Sequence, residues 1–313
     1  MARRPRGTDV ALRTRAVLVH RRTELDELLD RHATRGQAEF FLRTRGRTLA
    51  EVEARHEAAA SARRAVAASV PSDWALAEVE RADLDRFLFA PEDVVLVVGQ
   101  DGLVANAAKY LDQQLVVGVN PEPGANLGVL VRHEVESVAE IIDNLAAPQG
   151  GANQASFAAL LCDELTMVHA RLDDGQELRA VNELFLGHPS HQSARYTLAV
   201  DGGSERQSSS GLIVSTGTGA TGWCASIAHD RGGRRLPEPT DPALAWFVRE
   251  AWPSPITGVT MTEGVLDDDR ELVVTVQSDR LVVFGDGMEA DRLEVSWGQE
   301  VRIGVAERRL RLL

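Results

Sequence analysis

Cysteine is almost absent from this 313-residue chain: only Cys162 and Cys224 occur, far apart in sequence. Two separated cysteines supply neither a disulfide framework nor zinc-ligand spacing, and each is read as a small buried side chain in a reducing compartment. Lysine is scarcer still, Lys109 being the single one, so arginine is the default cation. Acidic residues outnumber basic ones and the net charge is −13, which opposes the concentrated basic surface that nucleic acids require. No apolar run approaches the roughly 18–20 residues of a bilayer span, and "AVLVH" is too short for the core of a secretory signal. The expectation is a cytoplasmic protein with no nucleic-acid and no membrane partner.

What is present reads as two units. Residues 1–14 form an arginine-rich arm, expected to be disordered. From residue 15 to 148 the pattern is α/β. "RAVLVH" is a short strand, and "TLAEVEARHEAAASARRAVAASV" is a helix that Thr48 and Glu51 can open as a capping box. "DVVLVVG" and "QLVVGVN" are continuous apolar strands of the kind buried on both faces of a parallel sheet, joined by a helix over 103–111. Strand, helix and strand in that order give an open, Rossmann-like α/β sheet. After the breaker "PQGGANQ" the period changes to two. Residues 149–313 then read as strands and tight turns, among them "ELTMVHARL", "RYTLAVDGG", "ELVVTVQ", "RLVVFGDG" and "EVRIGVA". No fixed-period repeat occurs, so solenoids and propellers are excluded.

Chemistry is expected where the strands of the open sheet end, at Gly99, Gln100, Asp101 and Gly102. Such a turn can be simple punctuation between strand and helix. Its glycines also let a backbone approach phosphate, while an ionised aspartate suits a hydroxyl proton or a metal ion carried by phosphates. Two further segments stand out. "SGLIVSTGTGATGW" at 210–223 offers hydroxyls and amides to a phosphate or sugar, or is a flexible connection; "AVNELFLG" interrupts a strand with Asn182 and Glu183, at an exposed edge, a bulge or a binding site. His133, His188, His191 and His229 lack metal-site spacing, so no protein-held metal is expected, and 267–269, "DDD", reads as a solvated turn.

Taken in order, "GQDG", "GVNPEPGANLGVL", "AVNELFLG" and "SSSGLIVSTGTGATGW" resemble the NAD kinase family over nearly the whole chain from about Arg15, and most resemble its mitochondrial branch. The resemblance implies an α/β domain followed by a β-sandwich-like domain. It implies transfer of the terminal phosphoryl group of ATP, with Mg²⁺, to the adenosine 2′-hydroxyl of NAD or NADH. By position, Asp101 is then the catalytic aspartate, and Asn182 with Glu183 holds ribose hydroxyls. Thr218, Gly219, Thr221, Gly222 and Trp223 surround the dinucleotide, with Trp223 in place of a usual tyrosine. Asn120 faces the same cleft, Ser210 replaces an aspartate near the nicotinamide, and Asp286 approaches the substrate. A homodimer is expected by analogy. The usual turn is Gly-Gly-Asp-Gly-Thr, so Gln100 and Leu103 are departures: a Cβ at 100 disfavours positive φ and takes up space near a phosphate, and Leu103 removes a hydroxyl. The alternative reading is a dinucleotide-binding protein that has lost phosphoryl transfer; a lipid kinase fits less well, because the last two segments point to a dinucleotide.

Overall fold

The computed structural model describes residues 14–124, 128–147, 161–233 and 235–313. The expected arm at 1–14 and the breaker at 148–154 fall almost wholly outside these residues. The first sheet runs in the order β2-β1-β3-β4-β19-β6. Strands β1 (Arg15–His20), β2 (Ala75–Glu80), β3 (Val94–Val98) and β4 (Leu115–Asn120) are mutually parallel. Every residue of β3 and β4 is buried, as continuous apolar strands covered on both faces require. The short β5 (His133–Glu134) extends the C-terminal end of β4.

One face of this sheet packs against α3 (Leu49–Ala68) and α5 (Val138–Ala146) through Ala62, Val66, Val138 and Ile142. The opposite face packs against α4 (Asp101–Ala108) through Leu103 and Val104. Between β1 and β2 the chain inserts α1 (Glu24–His32) and α2 (Arg35–Arg43) ahead of α3, and the three helices share a small core of Leu28, Ala38, Leu42, Leu49 and Val52. Thr48 accepts the amide of Glu51 and Glu51 accepts the amide of Thr48, so the expected capping box opens α3.

The second half folds into two antiparallel six-stranded sheets, in the orders β11 (Gly203–Ser209), β10 (Ala194–Val200), β15 (Glu271–Val276), β18 (Glu300–Val305), β7 (Val168–Leu172), β8 (Glu177–Ala180) and β14 (Glu263–Asp267), β13 (Ala243–Arg249), β12 (Gly211–Ser215), β9 (Glu183–Gly187), β16 (Leu281–Gly285), β17 (Leu293–Val295). They enclose one core in which Val168, Leu184, Tyr196, Val214, Val274 and Ile303 are 0% exposed, the alternating inner faces of a β-sandwich. Helix α6 (Trp223–Asp230) covers the outer face of the second sheet over Ile213, Ala245 and Phe247.

Two short strands do not respect the division at 148 and 149. β6 (Asp163–Leu165) and β19 (Leu310–Leu312) join the first sheet, where β19 lies parallel to β4 and antiparallel to β6. Three-residue strands carry too little periodicity to be assigned to a sheet from sequence, and their partners are distant in the chain.

Candidate functional site

Asp101 is the first residue of α4, and its carboxylate binds a loop rather than standing free. Oδ1 accepts the amides of Leu130 at 2.8 Å and Val131 at 2.9 Å, and Oδ2 accepts the amide of Val129 at 2.9 Å. Two glycines bring that loop in. A Cβ on Gly118, within β4, would lie 2.0 Å from the carbonyl oxygen of Leu130, and Gly128 turns the chain at φ +67° beside the Asn120 amide. Asn120 is buried at the end of β4, where its Oδ1 accepts the amide of Glu122. An ionised carboxylate has about four lone-pair sites. Three are used among the described residues, which leaves one on Oδ2 for a hydroxyl.

The altered turn is benign in geometry. Gln100 has φ −108° and ψ 166°, extended values open to any residue, so the expected need for positive φ at this position does not exist. A Cβ on Gly99 would lie 2.8 Å from Leu103 Cδ2, a contact the leucine side chain would have to shift to relieve. Leu103 is 3% exposed and packs in the core beneath the turn, so a hydroxyl there would be buried among apolar side chains. Leu103→Thr is expected to cost about 2–3 kcal/mol of stability, and Gln100→Gly to add nothing to turnover. Thermal unfolding and initial rates of the single and double variants check this.

The second group of residues gathers where the chain crosses between the two sandwich sheets. β8 (Glu177–Ala180) is an edge strand of one sheet and β9 (Glu183–Gly187) is central in the other, so Val181 and Asn182 form the crossover, neither a bulge nor an exposed edge. Asp286, at φ +53° after β16 (Leu281–Gly285), accepts the amides of Val181 at 3.0 Å and Asn182 at 2.7 Å. It therefore braces the crossover instead of presenting its carboxylate to the cleft. On the other side, the carbonyl of Asn182 accepts the amide of Thr216 at 2.9 Å. The Thr216 hydroxyl accepts the amide of Thr218 at 3.1 Å. Thr216 is fully buried and was not foreseen, because one threonine in a hydroxyl-rich run gives no signal of its partners. Gly219 is needed for close approach, since its Cβ would lie 2.3 Å from the Asn182 oxygen. The Thr218 hydroxyl is buried without a hydrogen-bond partner among the described residues.

Thr221, Gly222 and Trp223 continue from this turn and are exposed. The Trp223 ring stacks on Phe185 at 5.9 Å, Phe185 meets Phe284 at 5.2 Å, and the Arg249 guanidinium lies 5.0 Å from the Trp223 ring. This shelf was also unforeseen, because its members are contributed by four separate elements. Ser210 is not gathered with the crossover. It precedes β12 (Gly211–Ser215), whose other end, Ser215, pairs with Glu183, and five residues of strand separate them by about 17 Å.

Helix α4 joins the two groups. Asn106 donates to the Asp286 carbonyl at 3.4 Å, and the Lys109 ammonium lies 2.7 Å from Asp291, which also accepts the Tyr110 hydroxyl at 2.8 Å. Asn106 is five residues, or about 7.5 Å of helix axis, from Asp101. The chain's one lysine thus serves to fasten α4 to the sandwich.

Burial pushes the Glu183 carboxyl up to about 7, with the Asp286 carboxylate adding to the shift. Asp286 is itself pushed up to about 6 by burial, against the pull of the Val181 and Asn182 amides and of Lys109. Carboxyls that ionise less readily when folded favour the native state at low pH. That contribution is complete below the unfolded values near pH 4 and is lost as pH rises through 6 to 7. Glu183→Gln should therefore be near-neutral for stability at pH 5 and stabilising relative to wild type by about 2–3 kcal/mol at pH 8. Thermal scans at the two pH values test it; an equal effect at both would refute it.

Comparisons with known proteins bear on the sequence and the fold. No family model matches the chain. A curated NAD kinase of Alcanivorax borkumensis is 29% identical over 211 residues, covering 65% of this chain and 63% of that protein. The mitochondrial NAD kinase 2 of Rattus norvegicus is 30% identical over 186 residues, 48% of this chain and 44% of its own length. The chain thus spans less than two thirds of either curated relative. Among solved structures, an NAD kinase from Archaeoglobus fulgidus in complex with ATP aligns over 95% of this chain and 92% of its own, with a TM-score of 0.54 at 16% identity. Yeast NADH kinase complexed with NADH aligns over 95% and 82%, with a TM-score of 0.57 at 13% identity. In sequence the chain is similar to curated NAD kinases, and in fold to solved NAD kinase structures. The α/β domain and β-rich second half expected from periodicity, and the β-sandwich that the resemblance implied, agree with the fold likeness to these NAD kinase structures.

Proposed function

We propose that the chain is an NAD kinase, transferring the terminal phosphoryl group of ATP to the adenosine 2′-hydroxyl of NAD or NADH. The observation that carries this reading is the single carboxylate of Asp101, held by three loop amides with one lone pair open and tied through α4 to the Asn182–Glu183 crossover. In the step, the 2′-oxygen bonds to the terminal phosphorus, the bond to the leaving ADP breaks, and the hydroxyl proton passes to Asp101 or on to water. Phosphoryl transfer leaves little covalent chemistry to a protein group, so Asp101 would contribute chiefly by orienting the hydroxyl, with alignment and charge neutralisation carrying most of the acceleration.

Asn182 and Glu183 would hold ribose hydroxyls, the Thr218 hydroxyl and the amides of 218–222 would meet the dinucleotide, and the Trp223–Phe185 shelf would receive a planar ring. Asn120 lies beside the Asp101 loop, and Gly99, Gln100 and Gly102 form the turn between donor and acceptor. Ser210 would meet only the far end of an extended dinucleotide, and Asp286 acts by bracing the crossover. Mg²⁺ would enter as part of the MgATP substrate, neutralising charge on the phosphates.

No helix among the described residues is long and apolar enough to cross a membrane. We place the enzyme in the cytoplasm, as a homodimer by analogy with the family and closest to its mitochondrial branch. The deciding experiment is NADP⁺ formation from NAD⁺ and MgATP by purified protein, read with an NADP-specific dehydrogenase. Absence of turnover with NAD⁺ and with NADH would overturn the reading.

A further inference from the structure

The inserted helices carry a cavity away from the residues gathered above. It measures about 520 Å³ and runs along α2, from Arg31 and His32 at the end of α1 to Arg45 just after α2. That volume falls in the range of small-molecule sites, roughly 300–1,000 Å³. At its other end α1 borders a larger, arginine-lined cavity beside the turn before Asp101. About 13 Å of helix separates the two, so the α2 cavity is no part of the site described above.

Its lining carries one sign of charge. Arg31 and Arg45 stand in a wall without a carboxylate, in a chain whose net charge is −13. Local concentration of one sign in an oppositely charged protein favours a ligand of the other sign. Arg31 makes no ion pair among the described residues. Arg45 commits one nitrogen, Nη1, to the Phe41 carbonyl and the Thr44 hydroxyl, each at 3.1 Å, and keeps its other donors for a ligand. Between them the His32 Nε2 is buried without a hydrogen-bond partner among the described residues. An unpaired buried nitrogen costs stability, and an oxygen of a bound anion would supply its partner.

The same wall is aromatic. Phe41 meets the His32 ring at 4.6 Å and the Arg45 guanidinium at 3.7 Å. Phe40 is 60% exposed, because α2 buries Ala38 and Leu42 instead, and the Arg43 guanidinium lies 5.6 Å from its ring. Gly36 and Phe40, four residues apart on α2, share one face of that helix. A Cβ on Gly36 would meet nothing within 4 Å, so the space in front of that face is open. Aromatic rings take up a second ring by offset or edge contact, and guanidinium groups both stack on planar systems and grip carboxylate or phosphate with paired donors. We propose that this cavity binds a planar aromatic anion, with its ring against Phe40 and its carboxylate or phosphate held by Arg31, Arg45 and His32. The proposal stands independently of the kinase reading.

The test is calorimetric titration of wild type with 2-naphthoate and, separately, with 2-naphthyl phosphate, against the neutral 2-naphthylmethanol and the non-aromatic cyclohexanecarboxylate. At least one of the two aromatic anions is expected to bind with a Kd below about 1 mM, about tenfold or more tighter than either comparison compound. Binding of naphthoate alone assigns a carboxylate ligand, of naphthyl phosphate alone a phosphate, and of both the shared chemistry. Gly36→Glu sets a carboxylate against the arginines while suiting the first turn of α2 in helix propensity and dipole. It should weaken binding about tenfold or more with no fall in melting temperature, which separates a blocked cavity from a damaged fold. Arg31→Gln should weaken binding about tenfold. No binding by wild type, unchanged binding in both variants, or a comparison compound that binds as tightly as the aromatic anions overturns the proposal. Titration reads binding without turnover, so that result leaves the kinase reading in place, and absence of NADP⁺ formation leaves the cavity in place.

Discussion

Asp101→Asn is expected to lower the rate of NADP⁺ formation by about 10²–10⁴-fold, with NAD⁺ affinity changed by no more than about threefold. The substitution separates the two tasks of this side chain. An asparagine oxygen in the place of Oδ1 still accepts the amides of Leu130 and Val131, so the loop over Gly118 stays in position. The new amide group faces Val129 as a donor against a donor and offers no lone pair to a hydroxyl. Turnover should therefore fall without collapse of the site. Asp101→Ala removes all three acceptors and should in addition lower the melting temperature below that of Asp101→Asn. Steady-state kinetics, NAD⁺ titration and thermal unfolding of the two variants distinguish these outcomes; parallel loss of turnover and NAD⁺ affinity in Asp101→Asn would remove Asp101 from the chemistry.

Gly118→Ala is expected to be nearly as damaging although residue 118 touches no substrate. The added methyl would stand 2.0 Å from the Leu130 oxygen and 2.9 Å from the Val131 Cα, both backbone atoms that cannot rotate aside. Either β4 shifts within a fully buried sheet or the loop lifts and withdraws its amides from Asp101. Backbone displacement of this kind in a packed core costs about 1–3 kcal/mol or more, and misplacement of a reacting group by about 1 Å can cost 10²-fold in rate. The expected result is a lower melting temperature together with a turnover loss of about 10²-fold. A variant with wild-type kinetics would show that the loop does not position Asp101.

How far the sequence was legible depends on the distance between cause and effect. The Thr48–Glu51 cap, the buried strand Val94–Val98 and the turn into the helix at Asp101 are set by residues within a few positions of one another, and each was readable. The β-rich second half was readable as a class, because alternation of apolar residues needs no knowledge of which strand pairs with which, while its sandwich form was implied only by the family resemblance. The departures at Gln100 and Leu103 were readable as departures but not in consequence. Whether a Cβ is tolerated depends on φ, and whether a side chain faces the ligand or the core depends on the helix it enters. The bracing role of Asp286 and the buried hydroxyl of Thr216 left no trace in pattern or composition.

By itself, then, the sequence determined the α/β unit, the β-rich unit, and the three segments proposed to carry the chemistry. These follow from short-range periodicity and turn preference, which act on neighbouring residues whatever the rest of the chain does. Only the tertiary structure decided that Asp101 holds a loop 29 residues away, that Asp286 reaches back 104 residues to brace Asn182, and that α1 and α3 line a cavity with arginine beside the turn before Asp101. The physical reason is that hydrogen bonds, clashes and charge pairing depend on distance in space, and distance in space is fixed only once the sheets have packed.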